Sequence, residues 1–327
     1  MSAREFNCDI TAVCYIPDYF HNRDASAVVE GVIAQSLPPK QIIVLCGTNL
    51  RFDLPSFPNC RIDLIAGDFV DRNQAWNRGV AAASQDLVAL VNPEAKLAAD
   101  CLERLAETLV RNARNGVVAV SAAPHPREHL SFSERLRLKS EVSFGLRQNE
   151  LIGCLGKTGF CTPVDYLDEL GLEPFDVDAP PFGVTLYQRD ALCKHPFPES
   201  YDLTGGDGLV FHGLSLTRHQ RMLLEPRALA GRGVVAPVEQ RIVSAYWQHE
   251  YFARRTRWQI LSFAQACMGA AFIELLCGSA NRVGGFFSAL QSLGEALWHW
   301  IRREKLPTSF RPMRHDPVEP DFNGSPE

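Results

Sequence analysis

The chain has 327 residues, 46% of them hydrophobic and 22% charged, with a net charge of −5. This is ordinary globular composition, long enough for one large domain or a domain with an appendage, and the acidic balance argues against a nucleic-acid partner. Ten cysteines lie scattered, with no Cys-x-x-Cys pair and no Cys/His cluster of zinc spacing; Cys8, Cys14, Cys46, Cys101, Cys267 and Cys277 sit in apolar or helical surroundings and read as reduced, buried thiols.

The first nine residues are polar and carry no secretory signal, so a cytoplasmic protein is expected. Residues 10–16 form an apolar run of strand length, closed by Pro17. A helix follows over 24–36, capped by Asp24, weakened by Gly31 and stopped by Leu37-Pro38-Pro39. Residues 41–46 are a second apolar strand, ended by Gly47-Thr48-Asn49, and 61–65 a third. A short alanine-rich helix begins at Arg72; Asn77, Gly79, Ala82 and Ala83 lie on it, and small residues let it sit close to a neighbour. The run 87–91 has no polar residue and suits a strand buried on both faces. An amphipathic helix is predicted over 99–114 and a further buried strand over 117–121. Alternation of strand and helix predicts an α/β fold with a mainly parallel, doubly wound central sheet. In such sheets ligands bind beyond the carboxyl ends of the strands. Asn92-Pro93-Glu94, directly after the 87–91 strand, therefore marks a candidate site.

From 124 to 181 the pattern loosens. Residues 131–150 read as a helix whose Arg135, Arg137, Lys139 and Arg147 form either a solvated face or a basic rim beside a phosphate. Residues 153–181, rich in Gly, Pro and Asp, read as a long loop. Order resumes over 182–192, ahead of the turn Pro196-Phe197-Pro198-Glu199. Asp207 follows Gly205-Gly206 at the start of a further helix, where a carboxylate serves as a cap or as a base. His212 and His219, seven apart, lack the spacing of a metal pair and read as surface or core histidines.

The C-terminal third differs in kind. Residues 258–280 are apolar nearly all round, but Gly269, Glu274 and Gly278 favour a helix packed on the core over a membrane span. Phe286, Leu290, Leu293 and Leu297 form a stripe at helical spacing, closed by Trp298, Trp300, Arg302, Arg303 and Lys305. The stretch 283–305 suits contact with a membrane surface; burial of the same helix against the domain suits it equally. The chain thus divides into 1–232, a helical region 233–306, and a proline- and charge-rich tail 307–327, expected to be disordered.

The order of these motifs resembles family 2 glycosyltransferases. The resemblance rests on Ile-Thr-Ala-Val-Cys-Tyr-Ile-Pro17, on Pro39-Lys-Gln-Ile-Ile-Val-Leu45, on Ala75-Trp-Asn77-Arg-Gly79-Val-Ala-Ala-Ala83, and on the apolar strand before Asn92-Pro93-Glu94. It resumes at Arg189-Asp-Ala-Leu192 and Gly206-Asp207, covers about residues 8–230, and extends to Arg257-Trp258 beyond them. It implies a GT-A-like, Rossmann-like fold and inverting transfer of a sugar from a nucleotide-sugar donor to a glycan or lipid-linked acceptor. It also implies donor contacts at Pro17, Tyr19, Asn77, Gly79, Asn92 and Glu94, with Asp207 as catalytic base. Where the family has Asp-x-Asp to hold a divalent metal, this chain has Asn92 and Glu94; where it has Asp-Asp-Gly-Ser, this chain has Cys46-Gly47-Thr48; and Gly206 stands for an acid. Weak or absent dependence on Mg²⁺ or Mn²⁺ is expected, because one neutral amide and one carboxylate carry less charge than two carboxylates.

Overall fold

The computed structural model describes residues 8–17, 22–48, 57–69, 72–125, 132–146, 153–154, 160, 173–178, 180–181, 183–197, 212–213, 216–217, 220–231, 242, 257–277 and 282–302. Tyr19, Arg147, Asp207, His219 and the tail 307–327, singled out in the sequence, lie outside them.

Among the described residues, one sheet of eight strands forms the centre, in the order β3-β2-β1-β4-β7-β5-β8-β6. β1 (Ile10–Ile16) pairs in parallel with β2 (Gln41–Cys46) on one side and β4 (Leu87–Val91) on the other, and β2 pairs in parallel with β3 (Arg61–Ala66). β5 (Val117–Pro124) and β8 (Arg221–Ala230) are parallel to each other. β7 (Val184–Gln188) enters antiparallel between β4 and β5, and the two-residue β6 (Phe175–Asp176) closes the far edge antiparallel to β8. The sheet is thus mainly parallel, with helices on both faces.

Every residue of β2, β4 and β5 is buried. Burying one Val or Leu side chain is worth about 1.5–3 kcal/mol, so the uninterrupted apolar run of β4 belongs in the interior, between β1 and β7. Helices α1 (Asn22–Ile33) and α3 (Cys101–Asn112) cover one face, where Val29, Leu102, Leu105 and Leu109 meet Ile42, Val44, Leu87 and Ala89. Helix α2 (Arg72–Ala82) and the short α5 (Arg189–Lys194) cover the other, with Ala75, Trp76 and Val80 against Val13, Ile43 and Leu90. α3 ends earlier than its apolar pattern predicts: a 3-10 turn (Ala113–Asn115) leads to Gly116, whose φ of +77° is a left-handed conformation that glycine adopts without strain.

The helix α4 (Phe132–Ser143) belongs to neither face. It packs on α6 (Arg257–Cys277), which packs in turn on α7 (Arg282–Arg302). A separate apolar cluster joins them: Phe263, Ala266, Ala270 and Ile273 of α6 meet Ala289 and Leu293 of α7, with Phe144 alongside. A Cβ on Gly269 would overlap the Phe144 ring, so only glycine allows this approach. The structure bears on three of these readings. Arg137 is half-buried and bridges Glu141 (3.3 Å) and Glu274 (3.2 Å), tying α4 to α6, while Arg135 and Lys139 of the same run are exposed. The stripe Phe286, Leu290, Leu293 and Leu297 turns inward on the apolar cluster. Cys8 is exposed, while Cys14, Cys46, Cys101 and Cys267 are buried thiols. No helix among the described residues is long and apolar enough to cross a membrane.

Candidate functional site

Strand order reverses at β1, whose neighbours β2 and β4 both run parallel to it and lead away in opposite directions. Just beyond the carboxyl ends of these strands the chain turns at Pro17, at Gly47-Thr48 and at Asn92-Pro93-Glu94. A crevice at such a reversal is the general ligand site of open α/β sheets.

The turn after β4 is fixed from within. The Asn92 backbone N–H donates to the Gly183 carbonyl (2.9 Å), which ties it to the start of β7. Its side chain is 5% exposed, and its Oδ1 accepts the Glu94 backbone N–H at 3.1 Å, an Asx turn. Asn92 thereby shapes the loop that carries the Glu94 carboxylate. Four residues on, the Lys96 carbonyl accepts from the Gly231 N–H (2.6 Å) and from the His125 ring N–H (3.3 Å). The carboxyl ends of β4, β5 and β8 are thus drawn together, with the exposed Lys96 and His125 beside the turn.

Cys46 is fully buried and offers no group to a ligand. A carboxylate is nevertheless present one strand away. Thr48 Oγ1 donates to Asp68 Oδ1 at 3.1 Å, joining the loops after β2 and β3, and Asp68 is exposed. Beside it, the Phe69 ring meets Tyr15 edge-on at 6.1 Å between centroids, and the Arg78 guanidinium lies 5.9 Å from the same ring. The sequence reading missed Asp68, Lys96 and His125. The one available signal was that each follows closely on a predicted strand end.

Asn77 and Gly79 act through the chain rather than toward the crevice. A Cβ on Gly79 would come within 2.5 Å of Val13 and 2.9 Å of Leu45, so glycine lets α2 press on β1 and β2. The Asn77 amide clamps a distant backbone: Nδ2 donates to the Phe197 carbonyl (2.8 Å) and Oδ1 accepts the Phe197 N–H (2.9 Å). The Phe197 ring lies against Trp76 (5.2 Å) and stacks on the His212 imidazole at 3.9 Å and 25°. His212 Nε2 donates to the His195 carbonyl at 2.7 Å. Burial pushes the His212 imidazole down to about 4, against its ordinary 6.5, so it is neutral at physiological pH. His212 is the core histidine that the spacing suggested. Phe197 and His212 thus bring together the two ends of segment 198–211, which contains Asp207 in sequence.

No protein-family model matches the chain, and no curated protein matches it either. Among solved structures the chain is similar, at low identity, to two glycosyltransferases. One is the mannosyltransferase PcManGT from Pyrobaculum calidifontis in complex with GDP-Man and Mn2+: 13% identity, TM-score 0.48, covering 93% of this chain and 79% of that one. Another is TarS of S. aureus: 10% identity, TM-score 0.46, covering 89% of this chain and 49% of that one.

Among the described residues no cluster of three or more His, Cys, Asp or Glu offers a ready-made metal cage. A divalent cation that is shared with a diphosphate needs as little as one or two carboxylates. Glu94 is a suitable donor. Asn92 Oδ1 is a poorer one, because it already holds the Glu94 N–H.

Proposed function

We propose that this chain is an inverting glycosyltransferase that moves a sugar from a nucleotide-sugar donor to a glycan or lipid-linked hydroxyl acceptor on the cytoplasmic side. The observation that carries the reading is the place of the Asn92-Pro93-Glu94 turn: past the end of β4, at the strand reversal beside β1. The motif order that resembles family 2 then supplies the chemistry.

In that reading the donor diphosphate lies over the turn, and the base and ribose reach toward Pro17, Tyr19 and Asp68. The Asp68 carboxylate accepts N–H or hydroxyl hydrogens there, as no residue at Cys46 does. The acceptor oxygen attacks the anomeric carbon while the bond from that carbon to the phosphate oxygen breaks. The electron pair leaves with the diphosphate, and Asp207 takes the acceptor proton. Charge gathering on the leaving group needs cationic partners; Lys96, exposed beside the turn, is a described candidate, and the His125 ring adds a hydrogen-bonding group next to it. Glu94 would hold Mg²⁺ or Mn²⁺ when one is bound, adding positive charge beside the leaving oxygen. Because Asn92 brings an amide where a second carboxylate would add charge, metal dependence is weak. Asn77 and Gly79 serve this site as positioning residues, one holding Phe197 and the other seating α2.

A second reading is a catalytically silent relative that binds a partner in glycan assembly. It is favoured by Asn92, whose oxygen is spent on the turn. Calorimetry with a panel of nucleoside diphosphates, with and without Mn²⁺, tests the site. Micromolar binding that Lys96→Ala weakens is the expected result, and no binding by any member of the panel rejects the proposal. Binding without transfer to any acceptor in a broad screen selects the silent relative.

A further inference from the structure

The exposed large apolar side chains of this protein are concentrated in one place. Among the described residues there are ten, and nine lie on α4, α6 and α7; the tenth, Leu64, sits on edge strand β3. Helix α6 turns out Met268, Phe272 and Leu276, spaced by four and each about half exposed. Helix α7 turns out Val283, Phe287 and Trp298, at 58, 62 and 53%. Helix α4 turns out Phe132, Leu136 and Val142. These are not the side chains that hold the three helices together, because Phe263, Ala270, Ile273, Ala289 and Leu293 do that from the opposite faces.

Charge identifies what covers the surface. No exposed residue described on these three helices is acidic; the charged ones are Arg135 and Lys139, both on α4. Two acids of the same helices are turned away: Glu141 is buried, and Glu274 is held by Arg137. From 254 to 305 the sequence carries seven basic residues and three acidic ones, in a chain whose net charge is −5. A water-facing surface has no reason to carry nine large apolar side chains. A bilayer containing anionic phospholipid complements both properties: its acyl boundary takes Phe272 and Phe287, its headgroups take Arg135 and Lys139, and Trp298 suits the interface between them.

We propose that the outward faces of α4, α6 and α7 form a docking surface for an anionic phospholipid bilayer, on which the protein lies without crossing it. The proposal is independent of the crevice reading, since binding to vesicles is measured with neither donor nor acceptor present. The intact chain is sedimented with vesicles of phosphatidylcholine alone and with vesicles containing a minority of phosphatidylglycerol. Pelleting with the anionic vesicles, lost as salt is raised, is the expected result. Phe272→Glu combined with Phe287→Glu lowers the partition coefficient by about a hundredfold, and Arg135→Glu combined with Lys139→Glu by about tenfold. All four side chains are exposed, so unchanged thermal melting confirms that the fold is kept. No pelleting with anionic vesicles overturns the proposal. So does pelleting that the aromatic variants leave unchanged, or equal binding to neutral vesicles. A concentration-dependent dimer that the aromatic variants dissolve, with no vesicle binding, overturns it in favour of a second copy.

Discussion

The two edges of the sheet are built from opposite chemistry. At the amino edge the polar groups satisfy one another. Gln41, 3% exposed, accepts at Oε1 from Thr11 Oγ1 (3.0 Å) and from the Ser84 N–H and Oγ (both 2.8 Å), and its Nε2 donates to Asp63 (2.6 Å). Asp63 in turn holds Arg61 at 2.8 Å. Arg189 completes that edge by donating to the last carbonyls of α2, Val80 (3.3 Å) and Ala81 (3.4 Å), which have no partner within the helix. At the carboxyl edge side chains shape backbone turns instead, as Asn92 does for Glu94, and Asp68, Lys96 and His125 are left facing outward. A buried polar group that is fully paired stabilises a fold; a charged group held at the rim by backbone is placed for a ligand. Changes at the first edge should therefore register in stability and changes at the second in binding and transfer.

The largest expected effect tests the segment between Phe197 and His212. Asp207→Asn should lower transfer by about a hundred- to ten-thousand-fold, a barrier rise of about 3–5 kcal/mol, and leave donor affinity and the melting temperature unchanged. Sugar transfer, calorimetry and melting, run side by side on parent and variant, check it. Unchanged transfer removes Asp207 as base.

Next comes acid sensitivity, which rests on His212. The His212 value is depressed to about 4 from 6.5, so between those values the unfolded chain binds a proton that the folded one excludes. Stability is full above about pH 6.5 and falls as pH drops toward 4, by up to roughly 3 kcal/mol. Denaturant titrations at a series of pH values should show that slope, and His212→Phe, which keeps an aromatic ring on Phe197, should flatten it.

Gln41→Leu sharpens the comparison from the other edge. It strands Thr11, Ser84 and Asp63 and should cost about 2 kcal/mol, while the transfer rate of the folded enzyme stays at the parent value. A loss of activity greater than the loss of folded protein would mean that the two edges are coupled. The smallest effect is expected at Asn92→Asp, which adds one negative charge beside Glu94. Donor affinity with Mn²⁺ should rise by about tenfold or less relative to affinity without it, in keeping with a single added oxygen ligand. No change in the ratio would place the metal elsewhere.

Much of the sheet was legible because its strands are short and uninterrupted. The bounds read for β1, β2 and β4 are those observed, since each run is apolar and stopped by proline or turn residues. β8 was missed for a physical reason. Glu225 and Pro226 fall inside it and break the pattern of a buried strand. The structure absorbs both at a bulge, where the register against β5 slips between Ala122 and Ala123. Burial alone would push the Glu225 carboxyl up, but bonds from Arg227 and Thr108 outweigh it and hold it below its usual range. The direction of β7 was equally hidden, because five buried residues look the same in either sense. The place of Asn92 and Glu94 just past a strand end was legible from the apolar run before them. The clamp of Asn77 on Phe197 was not, because its partner lies 120 residues away and is a backbone group that any residue supplies. The stripe read on α7 was real, but periodicity does not say which neighbour a stripe meets; the opposite face of that helix carries the outward aromatics.

The antiparallel entry of β7 also imposes an order in time. β4 finds its β1 partner already made when it leaves the ribosome, but its other edge is filled only by residues 184–188. At roughly 5–20 residues per second on the ribosome, that edge waits about 5–20 s for its partner. During that interval the nascent chain presents Leu-Val-Ala-Leu-Val, an uncharged strand with unpaired amides, which is the kind of segment that recruits other chains. Yield in the cell should therefore depend on chaperone supply and on translation speed between residues 92 and 188, even for variants whose finished fold is as stable as the parent.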